Sequence, residues 1–364
     1  METYRPLCLG VIGCLTLVCS ACGGAPRMGL VKTLSESEFD SERVNGVAFS
    51  QDGKFLATAG ENGLILWSTS NYKKISHFAM PQKDEYSPCD TCLFIGDVLV
   101  VGRGSKNMQV WDYENKKLLH DLSGFGGALS LARNSNGKFV FSGHGERIDT
   151  EKTTALKDYA IRMWDLKTGT LIKTFEGHRA PVMALAISPD DKLLLSSSER
   201  STVRLWDVET GNVVNSDPKP ASNLIDPPGF SPENNQPAPK VTFLADGKYA
   251  LDGLTLWDLQ KWERIDRFSN DILLLESITS AVLTPDGTKV LCGHDRGSMS
   301  LWDVTTGKEI CRVTVFPSEA RVRCVAISKD GKHAVACGEG YVPKGVLVSP
   351  ANDGFKVAIY RLPD

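Results

Sequence analysis

Residues 178–207, HRAPVMALAISPDDKLLLSSSERSTVRLWD, alternate apolar and polar positions in three short runs broken by turn-forming residues. The runs at 182–187, 193–196 and 202–207 predict strands. SPDD and ERS predict the turns between them, and VETG leads into a fourth run, NVV. Together they describe a meander of four short antiparallel strands.

The same pattern returns along the chain. It reads VNGVAFSQDGKFLATAGENGLILW in a first unit, DTCLFIGDVLVVGRGSKNMQVWD in a second, and LSLARNSNGKFVFSG followed by AIRMWDLKTG in a third. VTFLADGKYALDGLTLWD, SAVLTPDGTKVLCGHDRGSMSLWDVTTG and VRCVAISKDGKHAVACGEG with VAIYRLP supply the fifth to seventh. Six tryptophans, Trp67, Trp111, Trp164, Trp206, Trp257 and Trp302, recur at intervals of 42 to 53 residues, each closing a third strand. An aspartate follows five of them, whereas Ser68 follows Trp67 and the seventh unit has Tyr360-Arg361. Self-similarity at this period signals an architecture in which each unit buries its faces on its neighbours.

On these residues the chain from about 29 to 364 resembles the WD40 repeat family. The resemblance implies an all-β, seven-bladed WD40-like β-propeller in which the six tryptophans plug the gaps between blades. It also implies a blade-locking network of His, Ser or Thr, Asp and Trp. The fourth unit offers His178, Ser196 and Trp206, with Arg200 in the Asp place. His144 and His294 stand at the end of a second strand, not before a first one. They are read as structural or surface residues, not equivalents of His178, which leaves most blades to apolar stacking.

One fragment is left over. The seventh unit ends after its third strand, and LVKTL at 30–34 matches LIKTF, the fourth strand of the third unit. The N-terminal strand is therefore expected to pair with the last blade and close the ring, removing two exposed sheet edges.

Departures from the repeat locate candidate function. Insertions at 145–158, 215–240 and 339–354 all emerge opposite the Asp-Gly hairpin turns and crowd one rim, while the fifth unit is trimmed there. Tyr86, His178, Arg179, Phe230, Arg296, Arg321 and Tyr341 are the candidate interaction residues on that rim, by residue type. Trp262, outside the repeat, is assigned to local packing.

Composition adds little to this picture until the N-terminus. A net charge of −3 gives no electrostatic case for nucleic acid. Residues 1–21 have a core from 7 to 18 of secretory length and short for a membrane span. CSAC ends in Cys22 and resembles the lipobox of bacterial lipoproteins, with Cys19 where Leu is usual. The domain reading is thus a signal peptide at 1–21, a linker at 22–28 and the propeller at 29–364. It implies an extracytoplasmic location, lipid-anchored through Cys22; a start at Met28 would instead imply a cytoplasmic one. Cys89 and Cys92 form a lone CxxC, and Cys292, Cys311, Cys324 and Cys337 fall in apolar runs and read as free buried thiols.

The expected innermost strands carry no paired carboxylates, histidine cluster or nucleophile with a base, so no catalytic, metal or cofactor residue is assigned. The aspartates of QDGK, PDDK, ADGK, PDGT and KDGK serve hairpin corners. The sequence reading is a non-enzymatic scaffold for a protein or peptide partner. The alternatives are an enzyme or small-ligand binder using the central channel, and a structural part of a cell-envelope assembly.

Overall fold

The structure, a computed structural model, describes residues 26–34, 43–61, 63–79, 88–104, 107–123, 127–145, 158–198, 202–216, 241–265, 268, 276–317, 320–338 and 357–363. The three insertions and the segment before Pro26 fall largely or wholly outside these residues, as do Tyr86, Phe230, Tyr341 and Cys22.

Seven four-stranded antiparallel sheets are arranged as blades. The first runs Val44–Phe49, Phe55–Gly60, Gly63–Ser68 and Lys74–Ala79 from axis to outer edge. The inner strands of the next six begin at Cys89, Ala128, Val182, Val241, Ile278 and Val322, and every inner strand contacts both neighbours, closing the ring. The trimmed fifth blade turns through Gly253 at φ 60°, with Asp252 opposite Thr255.

The ring closes as the repeat requires. Gly29–Leu34 is the outer strand of blade 7, pairing Leu30 with Tyr360, Lys32 with Ile359 and Leu34 with Val357. The likeness of LVKTL to LIKTF extends to geometry. Val31 in blade 7 and Ile172 in blade 3 are both skipped in the ladder, leaving a bulge at the same place. Ile75, Leu119, Val214 and Ile310 are skipped alike in blades 1, 2, 4 and 6. A bulge twists an outer strand away from flat pairing with another chain, which protects an edge that these apolar residues would otherwise make adhesive.

Burial between blades forms the core. Trp206 packs on Phe141, Ile161 and Phe175 of blade 3, Trp302 on Leu251 and Leu256 of blade 5, and Trp67 on Val335 and Ile359 of blade 7. Leu34 of the closing strand is fully buried, and Met28 just before it packs between blades 6 and 7. The hairpin aspartates serve turns: the Ser50 hydroxyl and Lys54 N–H donate to Asp52, and the pattern repeats at Asp190, Asp286 and Asp330. In SPDDK, Asp191 takes the glycine's place at φ 63° and accepts the Ser135 N–H and hydroxyl from blade 3 at 2.8 and 2.6 Å.

Candidate functional site

The polar architecture between blades is richer than the sequence reading allowed. In blade 4 the Trp206 indole N–H donates to Ser196 Oγ at 2.8 Å, and the same hydroxyl is 2.7 Å from His178 Nε2. Blade 3 builds this unit from Trp164, Ser142 and His144, at 2.8 and 2.7 Å. Blade 6 builds it from Trp302, Ser300 and His294, at 2.7 Å for both. His178 comes from the loop before the inner strand, whereas His144 and His294 end second strands, and Ser300 lies on the third strand rather than the second. Three backbone origins converge on one side-chain arrangement, which corrects the expectation that His144 and His294 are unlike His178. In blade 3 the two partners stand two residues apart on one strand, whereas in blade 6 the imidazole reaches a hydroxyl on the neighbouring strand.

Glu276 Oε2 lies 3.8 Å from His294 Nδ1, so Glu276, His294 and Ser300 have the order of an acid, base and nucleophile. The serine cannot act as one. Ser300 is fully buried, and its oxygen already accepts the Trp302 indole N–H. The arrangement locks the blade, as satisfied polar networks do.

Blade 5 breaks the rule. Its register places Asp252 where blades 3 and 4 have Ser142 and Ser196. Trp257 Nε1 has no hydrogen-bond partner among the described residues. The Trp257 ring is covered instead by Trp262, at 5.0 Å between centroids, and by Arg264 at 4.9 Å. Trp262 thus packs locally.

These groups titrate in opposing senses. Burial, with Arg204 and Arg312 nearby, holds His178 and His294 down at about 3. Burial pushes Asp252 up to about 7, against the opposing pull of Arg264 and Ser197. Between its unfolded value of about 6.5 and about 3, each histidine is protonated only on unfolding, so its contribution to stability is lost as pH falls. Asp252 is the reverse, because the folded state keeps a proton that the unfolded state releases near pH 4. Its contribution is present below that value and lost as pH rises to about 7. Asp252→Asn is therefore expected to steepen the loss of stability on acidification from pH 6.5 to 4.5 by about 1.4 kcal/mol per pH unit. Urea titrations across that range would measure it, and parallel parent and variant curves would refute it.

The rim opposite the hairpins collects arginines. Arg179 and Arg296 are exposed and Arg321 is half-buried; His178 is buried against Ser196. Arg204 lies over the Trp206 ring at 5.8 Å, and burial followed by repulsion from Arg179 lowers its pKa. Three of the described acids of this rim are paired with arginines, whereas Glu176 is exposed. Glu61 faces Arg43 at 3.8 Å, Asp158 holds Arg162 at 2.8 Å, and Glu276 binds Arg312 at 2.6 Å.

The sequence reading also passed over polar groups at the rim ends of the inner strands. Arg323 reaches Asn45 Oδ1 at 3.4 Å, and the Asn45 amide donates to the Cys89 carbonyl at 3.2 Å. Asp90 and Arg103 are buried beside them, and a Cβ at Gly104 would collide with the Asp90 carboxylate. Asn, Asp and Arg inside otherwise apolar runs were the available signal. Cys89 and Cys92 are separate free thiols, with Cys89 pushed up to about 12 by burial. Among the described residues no group of three or more His, Cys, Asp or Glu side chains is placed to hold a metal ion.

Comparison with known proteins agrees with the geometry. A family model described as WD domain, G-beta repeat matches residues 29–68 and 169–207. Both matches begin at an outer strand, so a repeat in sequence is the outer strand of one blade followed by three strands of the next. The chain is 28% identical over 191 residues to Autophagy-related protein 16 of Arabidopsis thaliana, covering 52% of this chain and 34% of that protein. It is 28% identical over 195 residues to Protein groucho of Drosophila melanogaster, covering 52% and 24%. It is 27% identical over 184 residues to Eukaryotic translation initiation factor 3 subunit I of Drosophila yakuba, covering 48% and 54%. The chain thus spans about a quarter to a half of the length of these relatives.

Proposed function

We propose that this chain is a non-enzymatic scaffold that binds an acidic segment of a protein partner on the rim opposite the hairpins, held at a membrane outside the cytoplasm by its N-terminal segment. The fold is that of a seven-bladed WD40-like propeller, a class whose members generally act as non-catalytic protein-interaction scaffolds. The observation that carries the acidic partner is the Arg179 and Arg204 pair. The two cations repel each other, and no carboxylate among the described residues pairs with either. A carboxylate supplied by a partner would relieve that repulsion and form charge-assisted hydrogen bonds. Arg296 and Arg321 extend the same rim.

A peptide array scored for charge, followed by binding kinetics on the full chain, tests the rim. Arg179→Glu is expected to slow association with acidic peptides about tenfold and flatten its salt dependence, leaving the melting curve in place because the side chain is exposed. Equal binding of acidic and basic peptides, or no effect of the substitution, would rule the acidic partner out. The anchor is tested separately by intact mass: a mature chain starting at Cys22 with acyl mass supports it, and a soluble species starting at Met28 removes it.

A further inference from the structure

The corner where the ring closes differs in charge from the same corner of the other blades. Five blades carry an aspartate there, and its carboxylate accepts backbone N–H groups of the turn into the outer strand. Asp112 accepts from Asn115 at 2.9 Å, Asp165 from Thr168 at 3.0 Å, Asp207 from Thr210 at 2.6 Å, Asp258 from Lys261 at 3.0 Å and Asp303 from Thr306 at 2.7 Å. Blade 7 has no such turn, because its outer strand comes from the other end of the chain. The residue in register is Arg361, opposite His333 as Asp303 is opposite Lys289. A carboxylate is not needed there, and a cation stands in its place.

Arg361, Arg27 and Lys332 line one hollow of about 410 Å³ together with Gly29, Leu362 and Pro363. All three cations are exposed, and no carboxylate among the described residues lines the hollow. Asp330, close in sequence, is engaged by the Ser328 hydroxyl and the Lys332 backbone N–H. A Cβ on Gly29 would meet nothing within 4 Å, so the hollow is open beside the closing strand. Three like charges lining one hollow suit one anion with several oxygens, and the volume suits a small polar group.

The position of the hollow selects that anion. It lies on the hairpin side of the propeller, opposite the arginine rim, at the point where the chain arrives from residues 1–25. Between Cys22 and Arg27 a fully extended chain spans at most about 18 Å. We propose that the hollow binds the phosphate headgroup of an anionic phospholipid, turning the closing corner to the bilayer and the Arg179 rim to solution. This rests on the membrane reading of the N-terminal segment. The lipid or apolar segment supplies attachment, and the hollow supplies orientation.

The full chain in nonionic detergent is titrated with short-chain phosphatidylglycerol, short-chain phosphatidylcholine and inorganic phosphate. Saturable binding of the glycerol lipid, weaker binding of phosphate and none of the choline lipid are expected. Arg361→Asp, which restores the acid of the other blades, should weaken binding roughly thirtyfold, whereas Arg296→Asp on the far rim should leave it unchanged. Equal binding of both lipids, phosphate binding as tightly as the glycerol lipid, or indifference to Arg361→Asp would overturn the proposal. Flotation with pure phosphatidylcholine vesicles tests attachment by itself: a chain left in solution removes the membrane reading, and a floating chain that fails the titration removes only the headgroup site.

Discussion

Removing residues 1–40 is expected to abolish the cooperative melting transition of the chain, whereas removing residues 1–25 should leave it in place. The longer deletion takes away Gly29–Leu34 and with it the outer strand of blade 7. It exposes the ladder edge of Val357–Arg361 and empties the space filled by Leu34 and Met28. Loss of a buried leucine costs about 2–5 kcal/mol, and each lost ladder hydrogen bond about 1 more. The total is on the order of 5–10 kcal/mol, comparable with the entire stability of an ordinary domain. A differential scanning calorimetry trace superimposing on that of the parent would refute the closure. A synthetic peptide of residues 26–36 added to the truncated chain should restore the transition, because the strand contributes pairing and burial and needs no covalent link to the inner strand that follows.

Trp206→Ala is expected to destabilise the chain by about 3–5 kcal/mol, the usual cost of deleting a fully buried large aromatic side chain. Trp206 has no exposed surface, meets Phe175 edge-on at 6.0 Å and donates to Ser196. Substitution by alanine opens a cavity between blades 3 and 4 and removes the donor that Ser196 accepts beside His178. Phenylalanine separates the two effects. Trp206→Phe keeps most of the ring and loses the N–H, so part of the cost should remain, on the order of 1 kcal/mol for the hydrogen bond. Trp257→Phe should lose nothing on that account, because the Trp257 N–H has no partner among the described residues. Denaturant melts of the two phenylalanine variants make the comparison, and equal costs would show that the hydrogen bond to Ser196 contributes no stability.

Much of this fold was legible because its determinants are local and repeated. Period-two alternation, turn-forming corners and a tryptophan on six of the seven third strands are each readable within a few residues, and the copies reinforce one another. The closing strand was legible for the same reason: LVKTL and LIKTF fill equivalent positions and bulge at equivalent residues. The tryptophan–serine–histidine units were only one-third legible. His178 sits where the family pattern places it, but His144 and His294 reach the same arrangement from second-strand ends. Trp262 packs locally as its place outside the repeat suggested, but Asp252 gave no usable signal, because its role depends on a face that exists only once blades 4 and 5 are stacked.

The sequence by itself determined the number of blades, the strands of each and the way the ring closes, because alternation, turn chemistry and repetition act over short distances. Only the tertiary structure decided which polar groups meet. It set Ser300 out of reach behind Trp302, left Trp257 without an acceptor among the described residues, brought Arg179 within electrostatic reach of Arg204, and gathered Arg27, Lys332 and Arg361 at one corner. Those contacts depend on register across a sheet and on the packing of one blade against the next, and residues that meet there need not be near in sequence or alike in pattern.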